Sequence, residues 1–291
     1  MKRMHAKLAQ QGLSYTRIEG VPGELVRNHP LVSGFCQQAC TDGMIGCAMS
    51  HIHAWKHVVA KGLSSALILE DDAVFVPNFK AKLAVCMEEL PGDWDVLLGG
   101  CVLCNKENEY KGIYNLTVPF IRAVAQNQAT ASSGTLYPPE FFLGTHCYVV
   151  SQRGARNLLS MITRIRFHID FQMNTVPLHI YASSTQLAYQ HVEGSTIATS
   201  KTPMVLDYLL SFGKTDTRIP FSYLLSVPIA RGVNIWSFAF LVAGMLMRLS
   251  RGFRWVLLPL LLDTVSSFQG HRDAGLLVLF FMLGEFATRW M

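Results

Sequence analysis

A short apolar segment, Ala66-Leu-Ile-Leu69, runs directly into three carboxylates, Glu70-Asp71-Asp72, and then into a second apolar segment, Ala73-Val-Phe-Val76. The first segment has the length of a buried strand, and adjacent carboxylates repel one another unless solvent or a cation compensates them. Most acidic triplets are solvated turns or helix caps, but this one interrupts two apolar segments and does not decorate a surface helix. In an open α/β sheet the carboxyl ends of strands are where ligands bind. Glu70 and Asp72 are therefore candidate ligands for a hard divalent cation, whose remaining positions suit nucleotide phosphates.

Around this point the chain alternates helical and strand-like stretches. A helix-like segment, Ala54–Lys61, precedes the acids, and a further helix closes at Pro91-Gly92. Trp94-Asp-Val-Leu-Leu98 reads as a strand ending in Gly99-Gly100, a pair that allows close backbone approach but is expected to make a simple turn. Residues 105–139 are polar and rich in Asn, Thr, Ser and Pro, and are expected to form a long surface loop. Phe141–Val150 returns to strand character, Gln152–Ile162 to helix, and Leu187–Gln190 reads as a last strand.

Order and spacing carry a family resemblance. Gly43-x-x-Gly46-Cys-Ala-x-Ser50-His51, followed by Trp55-Lys56 and Leu67-Ile-Leu-Glu-Asp-Asp-Ala73, is the first block. Gly144-Thr-His146-Cys-Tyr148-Val-Val-Ser151, then Gly154-Ala155 and Asp170, is the second, and Gln190 with Ser195-Thr-Ile197 the third. Together the blocks resemble glycosyltransferase family 25, which includes bacterial lipooligosaccharide galactosyltransferases and collagen-modifying enzymes.

The resemblance implies a GT-A-like α/β fold and an inverting, metal-dependent transfer of a hexose, galactose first, from a UDP-sugar to a hydroxyl of a lipooligosaccharide or related glycan. It implies Mn2+ or Mg2+ at Glu70 and Asp72, and Asp170 as the general base that takes the acceptor proton. Ser50, His51, Gly144, His146 and Gln190 are implied as substrate-binding residues, with His191 a further candidate for the metal site. His53, His57, His168 and His179 have no motif support and read as structural. The family usually opens on a strand followed by a helix. This chain starts on what looks like that helix, so Leu13–Ile18 is expected to be the second strand and the opening strand to be missing. A truncated, non-catalytic relative that keeps the core fold is the alternative reading. An aspartyl-phosphate phosphotransferase is disfavoured, because such enzymes place Asp, not Glu70, directly after the strand.

Composition bounds the remainder. Of 291 residues half are hydrophobic and only 15% charged, values that lean toward membrane contact. The net charge of +5 comes without clustered Lys/Arg and interleaved aromatics, so no nucleic-acid partner is expected. Seven irregularly spaced cysteines argue against a disulfide framework, and Cys101-Val-Leu-Cys104 has no matching pair elsewhere, so a reducing setting is expected. No secretory signal is visible in the basic first residues. The chain divides into a catalytic domain over 1–200, a linker over 201–230 and a hydrophobic, mainly helical segment over 231–291. That last segment holds three uncharged runs, Val233–Met247, Trp255–Leu262 and Ala274–Leu283, each shorter than a comfortable bilayer span. With Arg248, Arg251 and Arg254 beside them, they are expected to hold the protein on membrane lipids at the cytoplasmic face, as surface-lying helices or a short hairpin.

Overall fold

The computed structural model describes residues 2–102, 104, 123–190, 228–230, 233–249 and 271–288. These fall into two compact units, one within 1–191 and one that carries 228–288.

The first unit is a mixed α/β domain. Its described elements are α1 (Lys2–Gln10), α2 (Gly23–Val26), α3 (Gly34–Ala39, whose last residues belong to the other unit), α4 (Asp42–Ala60), β1 (Ser65–Leu69), β2 (Ala73–Phe75) and α5 (Phe79–Glu89). They continue with β3 (Val96–Val102), β4 (Leu136–Tyr137), β5 (Leu143–Ser151), α6 (Gln152–Met161), α7 (Ile169–Asn174), β6 (Ile180–Ser183) and β7 (Ala188–Gln190). The central sheet has the order β1-β5-β3-β6-β4, and β2 pairs with β7 in a separate ribbon. Only β3–β6 is parallel in the central sheet; the other pairs are antiparallel. β3 is buried along its whole length, as its unbroken run of apolar and glycine residues requires for a strand covered on both faces.

Helix α4 carries the first sequence block and faces the core through Met44, Ile45, Ala48, Met49, Ile52 and Trp55, a stripe at helical spacing. Gly46 is where the incoming chain crosses this helix. A Cβ there would stand 2.4 Å from the carbonyl oxygen of Val21. Ser50 secures the same crossing: its hydroxyl donates to Gly46 O at 2.7 Å and accepts from Val21 N at 3.0 Å. At the end of β5, Ser151 caps α6 by accepting from the amide of Gly154 at 2.9 Å. Beneath it the buried carboxylate of Asp95 accepts from Arg153 Nε, Asn157 Nδ2 and the amide of His179, which satisfies the charge it takes into the core.

Three local expectations are corrected. Leu13–Ile18 forms no strand. Leu13 instead packs as a side chain against the cluster of Met4, Leu8 and Ala73, while Lys7 Nζ donates to Ala73 O at 2.7 Å. Gly99-Gly100 makes no turn but lies inside β3, where the register against β5 shifts on both sides of Gly100. Cys101 and Cys104 are joined by a disulfide, against the expectation of free thiols there, whereas Cys47, Cys86 and Cys147 are free. Of the expected loop, residues 105–122 lie outside the described residues; the rest contains β4, which borders the sheet.

The second unit shows a small hairpin, β8 (Pro228–Ala230) and β9 (Val233–Asn234), leading into α8 (Ile235–Leu249), with α9 (His271–Ala287) packed against α8. Asn234 and Ser237 cap α8 reciprocally, side chain to amide in both directions, at 3.1 and 3.2 Å. The two helices meet backbone to backbone. A Cβ on Gly244 would stand 2.1 Å from Phe281 O, and one on Gly284 2.0 Å from Leu241 O. Phe238, Val242, Met282, Leu283 and Phe286 of these helices are exposed. Among the described residues no helix is long and apolar enough to cross a membrane. The run Trp255–Leu262 lies outside them.

Candidate active site

The three sequence blocks meet where β1 ends. β1 lies beside β5 in the register Leu69↔Cys147, and the next amide, that of Glu70, donates to His146 O at 3.0 Å, so the ladder runs up to the first carboxylate. β2 starts at Ala73 opposite Gln190 of β7. This pairing sets Gln190 beside the acids, and its Nε2 donates to Asp72 Oδ2 at 2.9 Å.

Glu70 is held by side chains from two directions. Its Oε1 accepts from Thr145 Oγ1 at 2.6 Å and lies 3.3 Å from His51 Nε2. The opposite edge of the His51 ring, Nδ1, is 2.9 Å from the hydroxyl of Tyr148, which accepts from Trp55 Nε1 at 2.8 Å. His51 and Trp55 lie one helical turn apart on α4 and Tyr148 faces them from β5, so helix and sheet jointly orient the carboxylate. Burial pushes the Glu70 carboxyl up, but His51, Thr145 and the nearby His146 more than offset this and hold it below the usual range.

Asp72 is the reverse case. Burial, with the charge of Glu70 beside it, raises its pKa to about 6 despite the opposing hydrogen bond from Gln190. Its second oxygen, Oδ1, is buried with no hydrogen-bond partner among the described residues. A buried carboxylate oxygen without a donor, next to a second carboxylate, fits a hard divalent cation, and Glu70 and Asp72 are the residues that would hold one.

His146 is buried between two glycines. Gly144, at φ +85°, and Gly100 both leave room for the ring: a Cβ on Gly100 would stand 2.3 Å from His146 Nε2, and one on Gly144 3.1 Å from Nδ1. Nε2 faces Ala188 O at 3.3 Å, while Nδ1 has no partner, and burial lowers the pKa of the ring against the pull of Glu70. Asp170 sits in the first turn of α7. Its Oδ2 accepts from the amide of Gly144 at 2.7 Å and its Oδ1 from the amide of Phe171 at 2.7 Å.

Burial pushes the thiol of the half-buried Cys47 well above its ordinary range, and the charges of Glu70, Asp170 and Asp72 push it further in the same direction. Ser50 stands apart from them, its hydroxyl committed to Gly46 and Val21. His191 and Ser195–Ile197 lie outside the described residues. Sequence reasoning gave no role to Cys47, Thr145, Tyr148 or Trp55. The available signal was the i, i+4 spacing of Cys47, His51 and Trp55, which puts all three on one helix face.

A mixed α/β domain with carboxylates gathered at a strand end describes a class of group-transfer site. The profile of "Glycosyltransferase family 25 (LPS biosynthesis protein)" matches residues 2–173, more than half of the chain, and the protein belongs to glycosyltransferase family 25. Among curated proteins it is similar to the "Probable inactive glycosyltransferase 25 family member 3" of Bos taurus, 28% identical over 175 residues that make up 55% of this chain and 26% of the relative. It is also similar to the "Procollagen galactosyltransferase 1" of Danio rerio, 32% identical over 122 residues, 41% of this chain and 17% of the relative. The "Inactive glycosyltransferase 25 family member 3" of Homo sapiens is 30% identical over 122 residues, 37% and 20% of the two chains. The chain thus spans about a quarter or less of the length of these relatives.

Proposed function

We propose that this protein is an inverting, metal-dependent hexosyltransferase of GT-A-like fold that moves a hexose, galactose first, from a UDP-sugar to a glycan or glycolipid hydroxyl. The observation that carries the reading is the strand end where Glu70 and Asp72 stand two residues apart and Gln190 holds Asp72, whose Oδ1 is buried without a hydrogen-bond partner among the described residues. Glu70 and Asp72 would hold Mn2+ or Mg2+, which when bound supplies positive charge to the diphosphate leaving group. The chain's own residues do the rest. The Trp55–Tyr148–His51 hydrogen bonds and Thr145 fix Glu70, Gln190 fixes Asp72, and Asp170, as general base, accepts the proton of the acceptor hydroxyl. Ser50 in this reading acts through the chain crossing at Gly46, while Gly144 and His146 line the donor side. UDP release from a panel of UDP-sugars, with and without Mn2+, tests the reading; no release and no UDP binding would overturn it.

Asp170→Asn is expected to lower kcat about 10²- to 10⁴-fold with little change in UDP affinity. A variant that loses UDP affinity but keeps kcat would make Asp170 a binding residue. The second reading, a non-catalytic relative, is favoured by one observation: the bovine and human relatives carry the word inactive in their names.

We further propose that the protein works on the cytoplasmic face of a membrane, held on anionic lipid by its second unit. The exposed Phe238, Met282 and Phe286 support this, as do Arg248, Arg251 and Arg254 in the sequence. Sedimentation with anionic vesicles is expected for the full chain and should be lost in Phe238→Glu/Met282→Glu. Equal sedimentation of both proteins would remove the lipid assignment.

A further inference from the structure

Beside the two carboxylates stands a second set of donors, of which the transferase reading leaves the Cys47 thiol unused. The Cys47 Sγ, a ring nitrogen of His51 and a carboxylate oxygen of Glu70 all lie within 4.8 Å of one another, with His51 Nε2 3.3 Å from Glu70 Oε1. Cys47 and His51 are one turn apart on α4, and Glu70 reaches them from the end of β1, so two rigid elements set the spacing. Ligand atoms around tetrahedral zinc stand about 3.3–3.7 Å apart, given metal–ligand bonds of about 2.0–2.3 Å. The present spacing is thus slightly open and closes on a cation with shifts of less than about 1 Å.

The chemistry of this set differs from that of Glu70 with Asp72. A thiolate and an imidazole select zinc over magnesium or manganese, whereas a pair of carboxylates does the opposite. The orienting partner that metal-binding histidines need is already in place. With zinc on Nε2 the ring carries its proton on Nδ1, which lies 2.9 Å from the hydroxyl oxygen of Tyr148, and that oxygen is held by Trp55.

We propose that Cys47, His51 and Glu70 form a zinc site whose occupation removes Glu70 from the hard-cation site formed with Asp72. On binding, the Cys47 S–H bond breaks, a S–Zn bond forms, and the thiol proton leaves to solvent. The His51 proton moves from Nε2 to Nδ1, and Glu70 exchanges its His51 contact for the metal. A water completes four-coordination. The zinc site rests on these three residues alone; the consequence for donor binding rests on the transferase reading above.

The test uses the full chain stripped with chelator and titrated with Co2+ as a spectroscopic stand-in for zinc. A saturable thiolate-to-cobalt charge-transfer band is expected at one equivalent, displaced by Zn2+ and not by Mn2+. Cys47→Ser should lose the band and weaken Zn2+ binding about 100-fold, while Asp72→Asn should keep it. No band, or a band unchanged in Cys47→Ser, overturns the proposal. Should Cys47→Ser fail to fold, X-ray absorption of zinc on the unaltered chain decides: one sulfur neighbour at about 2.3 Å supports the site, and only nitrogen and oxygen neighbours overturn it. Separately, stoichiometric Zn2+ should weaken Mn2+-supported UDP binding about tenfold or more. Unweakened binding would overturn the sharing of Glu70. Absence of any Mn2+-supported UDP binding would sink the transferase reading and leave the cobalt result standing.

Discussion

Asp72→Asn is expected to lower Mn2+-dependent UDP release by about 10³-fold while leaving the fold intact. The substitution keeps the shape and keeps an oxygen for the Gln190 Nε2 donor, now 2.9 Å from Oδ2, but it removes the charge of a carboxylate whose other oxygen has no partner among the described residues. The pH behaviour gives a second, independent readout. The Asp72 carboxyl of the metal-free chain is raised to about 6 by burial and by Glu70, above its ordinary value of 3.8. A raised carboxyl favours the folded state at pH values below the ordinary pKa, and that contribution is lost as pH rises through about 6. Without metal, melting temperatures of the unaltered chain should therefore fall relative to Asp72→Asn between about pH 4 and about pH 6, the interval between the two pKa values. With Mn2+ the order should reverse, because a proton and a cation compete for the same oxygens, and metal-supported UDP binding should weaken below about pH 6. Equal turnover of the two proteins would remove Asp72 from the metal site.

Gly100→Ala is expected to destabilise the first unit by about 3 kcal/mol and to disturb the acid cluster as well. The added Cβ would stand 2.3 Å from His146 Nε2 and 2.4 Å from the carbonyl oxygen of Ala188. A side chain can swing away, but the Ala188 carbonyl is backbone, so β7 itself must move. β7 carries Gln190, which means that a methyl group on β3 is felt at Asp72. Gly92→Ala is the control, with nothing within 4 Å of its Cβ, and should change stability by less than about 0.5 kcal/mol. Urea denaturation of the three proteins measures both effects. A Gly100→Ala midpoint matching that of Gly92→Ala would mean that β7 does not cross Gly100 this closely.

The parts of this fold that were legible from sequence are those that depend on local pattern. An apolar run ended by acids reads as a strand and its exit whatever it pairs with, and the helices over Gln152–Met161 and within Asp42–Ala60 are periodic enough to stand alone. Leu13–Ile18 reads as a strand from its apolar ends, but of these residues Leu13 packs against Met4 and Leu8 and no strand among the described residues pairs with the segment. Gly99-Gly100 was misread because the reason for two glycines is not a turn. It is the space taken by Cys147 Sγ, His146 and the Ala188 carbonyl, all distant in sequence. The acids and Gln190 could be named from the motif, but the support of Glu70 could not. It needs α4, β1 and β5 brought together, and no single segment records that Thr145, Tyr148 and His51 will face one carboxylate.

The clasp between Gln190 and Asp72 joins positions 118 residues apart, and β1 finds its partner β5 only after some eighty intervening residues have been made. During synthesis, therefore, the carboxylates emerge after His51 but long before Thr145, Gln190 and the strands that pair beside them. While those residues are being added, Glu70 and Asp72 sit on an unpaired strand end, where water can solvate them freely and mutual repulsion costs little. Burial of their charge is deferred until the last strand of the domain arrives. The domain thus reaches its native sheet by assembling around a site that is completed at the end, and an interrupted chain would display its acids without the geometry to use them.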